Sequence, residues 1–131
     1  LGIERFLNLQ GLLPDETTLE LDGAANDTAS CAFAAADGSA SRSYDLLSVG
    51  VLQDIRQLKD SHVNPYPLSG VLRYDVRADA HERDGTGERD AHYEARVTVT
   101  YNGTRFPVIE VDKSWRFHMD LETGEVKALP A

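Results

Sequence analysis

"VLRYDVRADAHERDGTGERDAHYEARVTVTY", residues 71–101, is the stretch whose reading decides the fold. Its apolar residues recur at every second position. Leu72, Tyr74, Val76, Ala78 and Ala80 mark the first half, and Tyr93, Ala95, Val97, Val99 and Tyr101 the second. A period of two is that of a β-strand with one face turned to a core. Between the two runs, "HERDGTGERDAH" (81–92) gathers histidines, carboxylates and arginines around two glycines. Such a composition fits a metal or acid–base site as well as the tip of a hairpin.

Register separates these readings. "GT" at 85–86 suits a two-residue type II′ turn with Gly85 at its first central position. Leu72 then faces Val99, Tyr74 faces Val97, Val76 faces Ala95 and Ala78 faces Tyr93. On the other face Asp75 meets Arg96, Arg77 meets Glu94, Asp79 meets His92, His81 meets Asp90 and Arg83 meets Glu88. All five pairs are complementary when the histidines are charged. A slide of two residues in one direction opposes Arg77 to Arg96 and Asp79 to Glu94, which is penalised. A slide the other way, with a longer loop, keeps some good pairs. The charged pattern therefore specifies pairing. A metal site would need His81 and His92 in one ligand sphere, whereas this register sets them diagonally, so no metal is expected. "GTG" also lacks the strand-to-helix setting of a phosphate cradle, and no cofactor is expected.

Composition bounds the rest. The chain has 131 residues, enough for a single domain spanning 1–131, and carries a formal charge of −9. Nucleic acids and anionic membrane surfaces call for clustered cations, so neither is an expected partner. Arg outnumbers Lys ten to three. Cys31 is alone, which excludes an intrachain disulfide, and beside Ala and Phe it reads as a small buried residue. No apolar run reaches the roughly 20 residues of a membrane helix, so no membrane insertion is expected. The start at Leu1 rather than Met suggests a processed or excised segment, with the compartment open. "NDT" (26–28) and "NGT" (102–104) match glycosylation acceptors.

Upstream of Val71 the pattern reads differently. Residues 1–13 suggest a short helix ended by Gly11 or Pro14, and "TTLEL" (17–21) a half-buried strand. "TASCAFAAADG" (28–38) fits a short helix or a strand folding back onto 17–21, with the strand preferred on length. "SYDLLSVGVLQDIRQLKDS" (43–61) reads as the main helix. Ser43 caps it, Leu47, Val51, Ile55 and Leu58 line one face, and "NPYP" (64–67) ends it. Gly50 costs helix stability, and its expected return is close approach to a neighbouring element.

Downstream, Asn102-Gly103 signals a tight hairpin that places Phe106 opposite Val99 and Val108 opposite Val97. Ile109, Val111, Trp115, Phe117, Met119 and Leu121 then require a bulge near Pro107–Ile109 to restore parity. A bend is expected at Asp112–Ser114, a turn at "ETGE" (122–125) and a last strand at "VKAL" (126–129). The expected fold is α+β: one main helix packed on a long, strongly bent antiparallel sheet of meander hairpins.

The hairpins from Val71 to Val111, followed by "WRFHMDLETGEV" (115–126), resemble the nuclear-transport-factor-2-like superfamily. Cystatin-like folds share the look. The resemblance implies a cone of curved sheet closed by helices. It also implies either an isomerase, dehydratase or cyclase of small apolar molecules, or a binding or assembly domain without chemistry. Tyr74, Tyr93, Tyr101 and Trp115 are the candidate ligand-binding residues. No Asp, Glu or His stands among them as an inward acid–base pair, so no catalytic residue is assigned. The expectation is a non-catalytic binding or assembly domain of a soluble or extracytoplasmic protein. Its partner would be a protein or a small apolar ligand, with self-association through the sheet a further expectation. The small-molecule enzyme is the alternative.

Overall fold

A computed structural model describes residues 2–130, and in it every regular element is a strand. The strands are β1 (Gly2–Gln10), β2 (Thr18–Ala34), β3 (Ser41–Leu58), β4 (Ser69–Asp84), β5 (Gly87–Thr100), β6 (Val108–Val111), β7 (Trp115–Met119) and β8 (Val126–Ala128). They form one antiparallel sheet in the order of the chain, β1 to β8, each paired with its sequence neighbours.

The β4–β5 hairpin has the register that its charges specify. Leu72 pairs with Val99, Asp75 with Arg96, Asp79 with His92 and Arg83 with Glu88. The turn differs from expectation. Positive φ falls on Gly87 (φ 135°) rather than Gly85, so the turn is not type II′. The Asp84 carboxylate closes it instead, accepting from the Thr86 amide at 2.8 Å.

The expected main helix at 43–61 is absent. These residues form β3, which pairs with β2 on one side and β4 on the other. The fold is therefore all-β rather than α+β, which also conflicts with the helix-closed cones that the C-terminal hairpins resemble. The cause lies in the spacing. Leu47 and Val51 are four apart, one turn of a helix, but four is an even number and puts them on one face of a strand too. Val49 lies between them and Leu46 and Leu52 flank them, the two-sided apolar content of a strand inside a sheet. Residues 2–10, expected to be helical, form the edge strand β1. The 28–38 segment is strand, as preferred, up to Ala34. It continues the strand that holds 17–21 and pairs onward with β3 rather than folding back.

Pairing across the ladder assigns the two faces, because facing residues project to the same side. One face carries Leu7, Ala25, Ala29, Leu46, Leu52, Leu72, Tyr74, Val97, Val99, Ile109, Val111, Trp115, Phe117 and Met119. The other carries the ionic ladder. A bulge in β3 between Gln53 and Arg56, with Asp54 at φ 51°, restores Ile55 to the apolar face opposite Leu21, where it is 7% exposed.

The C-terminal parity needs no bulge. Asn102-Gly103 does not make the expected two-residue hairpin: Thr100 pairs with Val108, so 101–107 is a seven-residue connection. Val99 accordingly faces Ile109 rather than Phe106, and Val97 faces Val111 rather than Val108. With this longer loop, odd residues remain on the apolar face through β5, β6 and β7. At 112–114 the chain reverses rather than bends, with Asp112 (φ 51°) and Lys113 (φ 58°) left-handed and the Ser114 amide bonding the Val111 carbonyl at 3.0 Å.

Burial concentrates at one end of the apolar face. Val99 is 6% exposed and the Pro107 side chain fully buried. Loops 59–68, 101–107 and 120–125 are stitched together there. Asn64 donates to the Gly103 carbonyl at 2.9 Å, Gly103 to the Pro67 carbonyl at 2.9 Å, and Leu121 to the Arg105 carbonyl at 3.0 Å. Arg105 grips Asp120 through two bonds of 2.6 Å and reaches Glu122 at 2.7 Å.

Candidate functional site

The four aromatic candidates do share a face. Tyr74, Val97, Val111 and Trp115 form one row across β4 to β7, with Tyr93 on β5 beside Ala78. Tyr101 follows β5, its amide bonded to the Gly70 carbonyl at 3.0 Å. They do not converge on a pocket. Three strand spacings, about 14 Å, separate Tyr74 from Trp115. Trp115 is 68% exposed and Tyr93 64% exposed, whereas burial pushes the half-buried Tyr101 phenol above its ordinary pKa. The apolar face away from the stitched end is open. Ile3, Leu7, Phe33, Tyr44 and Leu46 are also exposed on it. Cys31 shares this side opposite Tyr44 and is exposed, not buried as its neighbours suggest.

The opposite face is ionic and internally matched along β4 and β5, while Phe6, Leu47 and Val51 are exposed on it nearer the β1 edge. Arg96 holds Asp75 through Nε at 2.6 Å and Nη2 at 3.2 Å, and Arg77 Nε donates to Glu94 at 3.0 Å. His92 contacts Asp79 and lies 3.1 Å from Glu94, and His81 contacts Asp90. These contacts set the titrations. Hydrogen bonding to Asp90 raises the His81 pKa, and hydrogen bonds to Asp79 and Glu94 raise that of His92. Glu94 is held below the usual carboxylate range by His92 and then Arg77, and Asp75 by Arg96.

An open groove of about 670 Å³ runs over this ladder, lined by Leu47, Val49, Asp75, Arg77, Glu94 and Arg96 and reached by Asp112 and Lys113. A smaller one of about 250 Å³ follows at Ser43, Asp45, Asp79, His81, Asp90 and His92. None of the four aromatic candidates lines either groove. Acid–base catalysis needs a group poised near the working pH. Asp75 and Glu94 sit as counter-ions held below the usual carboxylate range, whereas His81 and His92, raised by their carboxylate partners, stay protonated to higher pH.

The contact that sequence reasoning missed is Asp45 opposite Asp79, two like charges facing across β3 and β4. It is relieved from both sides, by the Ser30 hydroxyl donating to Asp45 at 2.7 Å and by His92 on Asp79. Reading 43–61 as a helix hid it. Here His81 sits on Asp90 and His92 lies between Asp79 and Glu94. Among the described residues, the three metal-ligating side chains that do come within 4.8 Å of one another are Glu20, Asp22 and Asp54, at the β3 bulge. Asp22 is already engaged there by the Asp54 amide at 2.8 Å, and Glu20 by Arg56 at 3.3 Å. Of the glycosylation matches, Asn102 spends its amide nitrogen on the Phe106 carbonyl at 3.1 Å and its oxygen on Thr104. No helix among the described residues is long and apolar enough to cross a membrane. Comparison with family models, curated proteins and solved structures matches none of them to this chain.

Proposed function

We propose that this chain is a non-catalytic binding or assembly domain whose contact surface is the apolar face of its sheet. The observation that carries the reading is that face itself, on which large side chains of β1, β2, β3, β5 and β7 are exposed, with no second layer among the described residues. Contiguous exposed apolar surface of this kind marks interaction sites. A protein surface suits it better than a small apolar ligand. Small ligands are held in concave pockets that bury most of their area, whereas the grooves here lie on the ionic side. The ionisable groups on the apolar side are paired, Asp27 with Arg5 at 3.7 Å and Glu82 with Arg42 at 3.2 Å, an arrangement of counter-ions rather than of an acid and a base. The small-molecule enzyme reading has no comparable support.

An environment-sensitive apolar dye tests the proposal. Wild-type protein with a folded β-sheet signature, diluted until it is monomeric, should enhance its fluorescence, and Leu46→Glu combined with Tyr93→Glu should abolish most of that gain. Val51→Glu, on the ionic side, should leave it intact. Equal responses from both variants would refute the assignment.

A further inference from the structure

We propose that the occupant of the apolar face is a second copy of this chain, packed face to face about a twofold axis. This deepens the binding-domain reading and rests on it. The first argument is area. The chain exposes 9157 Å² for a mass of 14.4 kDa. A compact monomer of that mass exposes about 6,800 Å², leaving an excess of about 2,300 Å² per copy. Obligate homodimers bury roughly 2,000–5,000 Å² in total, so two copies that each hide much of this excess fall within that class. A drug-sized molecule could not cover it.

The second argument is shape. Two identical sheets have identical twist, so their inner faces can pack nearly aligned at about 10 Å, as the layers of a β-sandwich do. A twofold interface needs a self-complementary patch, and a largely uncharged face of Leu, Val, Ala, Tyr and Trp meets that condition. At one end the patch is bordered by a polar rim in which Glu82 bridges Arg42 at 3.2 Å and Arg89 at 3.6 Å. The candidate aromatics then have a common role: Tyr93 and Trp115 are anchors of an interface, a setting in which both residue types are enriched.

Sedimentation velocity across the micromolar range, read with far-UV circular dichroism, tests the proposal. Wild-type protein and Val51→Glu should sediment as dimers. Tyr93→Glu with Trp115→Glu should keep the β-sheet spectrum and raise the dissociation constant at least tenfold. Small-angle scattering of the unlabelled wild-type protein, which leaves the proposed interface untouched, should give the mass of two chains, and a one-chain mass counts against the dimer. A dimer indifferent to Tyr93→Glu and Trp115→Glu but broken by substitutions in the β1 edge would overturn the face-to-face arrangement. A monomer at every concentration overturns the second copy. If that monomer still binds the apolar dye through Tyr93 and Trp115, the binding-face reading survives with another protein as partner. If it binds no dye, both fail.

Discussion

The ring of Tyr74 lies against the backbone of Gly50: a Cβ on Gly50 would meet its Cε1 at 2.5 Å and its Cδ1 at 2.9 Å. The two residues face each other across β3 and β4. Glycine in a strand interior is unfavourable by itself, and here the ring occupies the space that a side chain would take. Gly50→Ala should cost about 1–3 kcal/mol through displacement of that ring. In a Tyr74→Leu background the cost should shrink, which a double-mutant cycle by urea denaturation measures. A cost unchanged by Tyr74→Leu would place the strain elsewhere.

The ionic ladder makes stability depend on pH in two opposite senses. His81 and His92 have pKa values raised by their carboxylate partners. Their contribution is complete below the unfolded value of about 6.5 and is lost as pH rises through the folded values. Glu94 and Asp75 are lowered, so theirs is present above the usual carboxylate range and fades as pH falls through it. The urea midpoint should therefore decline on raising the pH above about 6.5. His81→Gln combined with His92→Gln should flatten that alkaline slope and shrink the Glu94 part of the acid slope, leaving the part that Arg96 gives Asp75.

The Arg105–Asp120 pair should govern one end of the molecule without touching the middle of the sheet. Arg105 holds the Asp120 carboxyl well below the usual range. Asp120 also accepts the Glu122 amide at 2.9 Å. Asp120→Asn should speed hydrogen exchange at the amides of 121–124 while β2–β3 amides keep their protection. Uniform acceleration throughout would mean that the pair supports the whole fold.

The reversal between β6 and β7 stores correctable strain. Lys113 adopts φ 58°, unfavourable for any residue with a Cβ, and Asp112 before it adopts φ 51° while accepting the Arg96 amide at 2.7 Å. Lys113→Gly creates the Asp-Gly pair favoured in such turns and should raise stability by about 1 kcal/mol. Asp112→Ala should lower it by losing the amide bond. Thermal denaturation of the two variants should move in opposite directions.

The β4–β5 hairpin was legible to the residue because its information is local: a short turn joins two runs whose charges alternate in complementary order. The shared face of Tyr74, Tyr93, Tyr101 and Trp115 was legible for the same reason, since period two carries through β5, β6 and β7. Their function as a group was not, because proximity across a sheet depends on strand order. The exposure of Cys31 likewise depends on no second layer of the described residues lying above it.

What the sequence alone determined is which side chains of 71–101 face one another and which side of that hairpin is ionic. The state of 43–61 was decided by tertiary structure. The spacing of Leu47, Val51 and Ile55 satisfies a helical face, and two of the three share a strand face as well, so local pattern is degenerate. β2 and β4 broke the tie by supplying hydrogen-bond partners on both edges of β3, and only the folded sheet could introduce the bulge at Asp54 that returns Ile55 to the core.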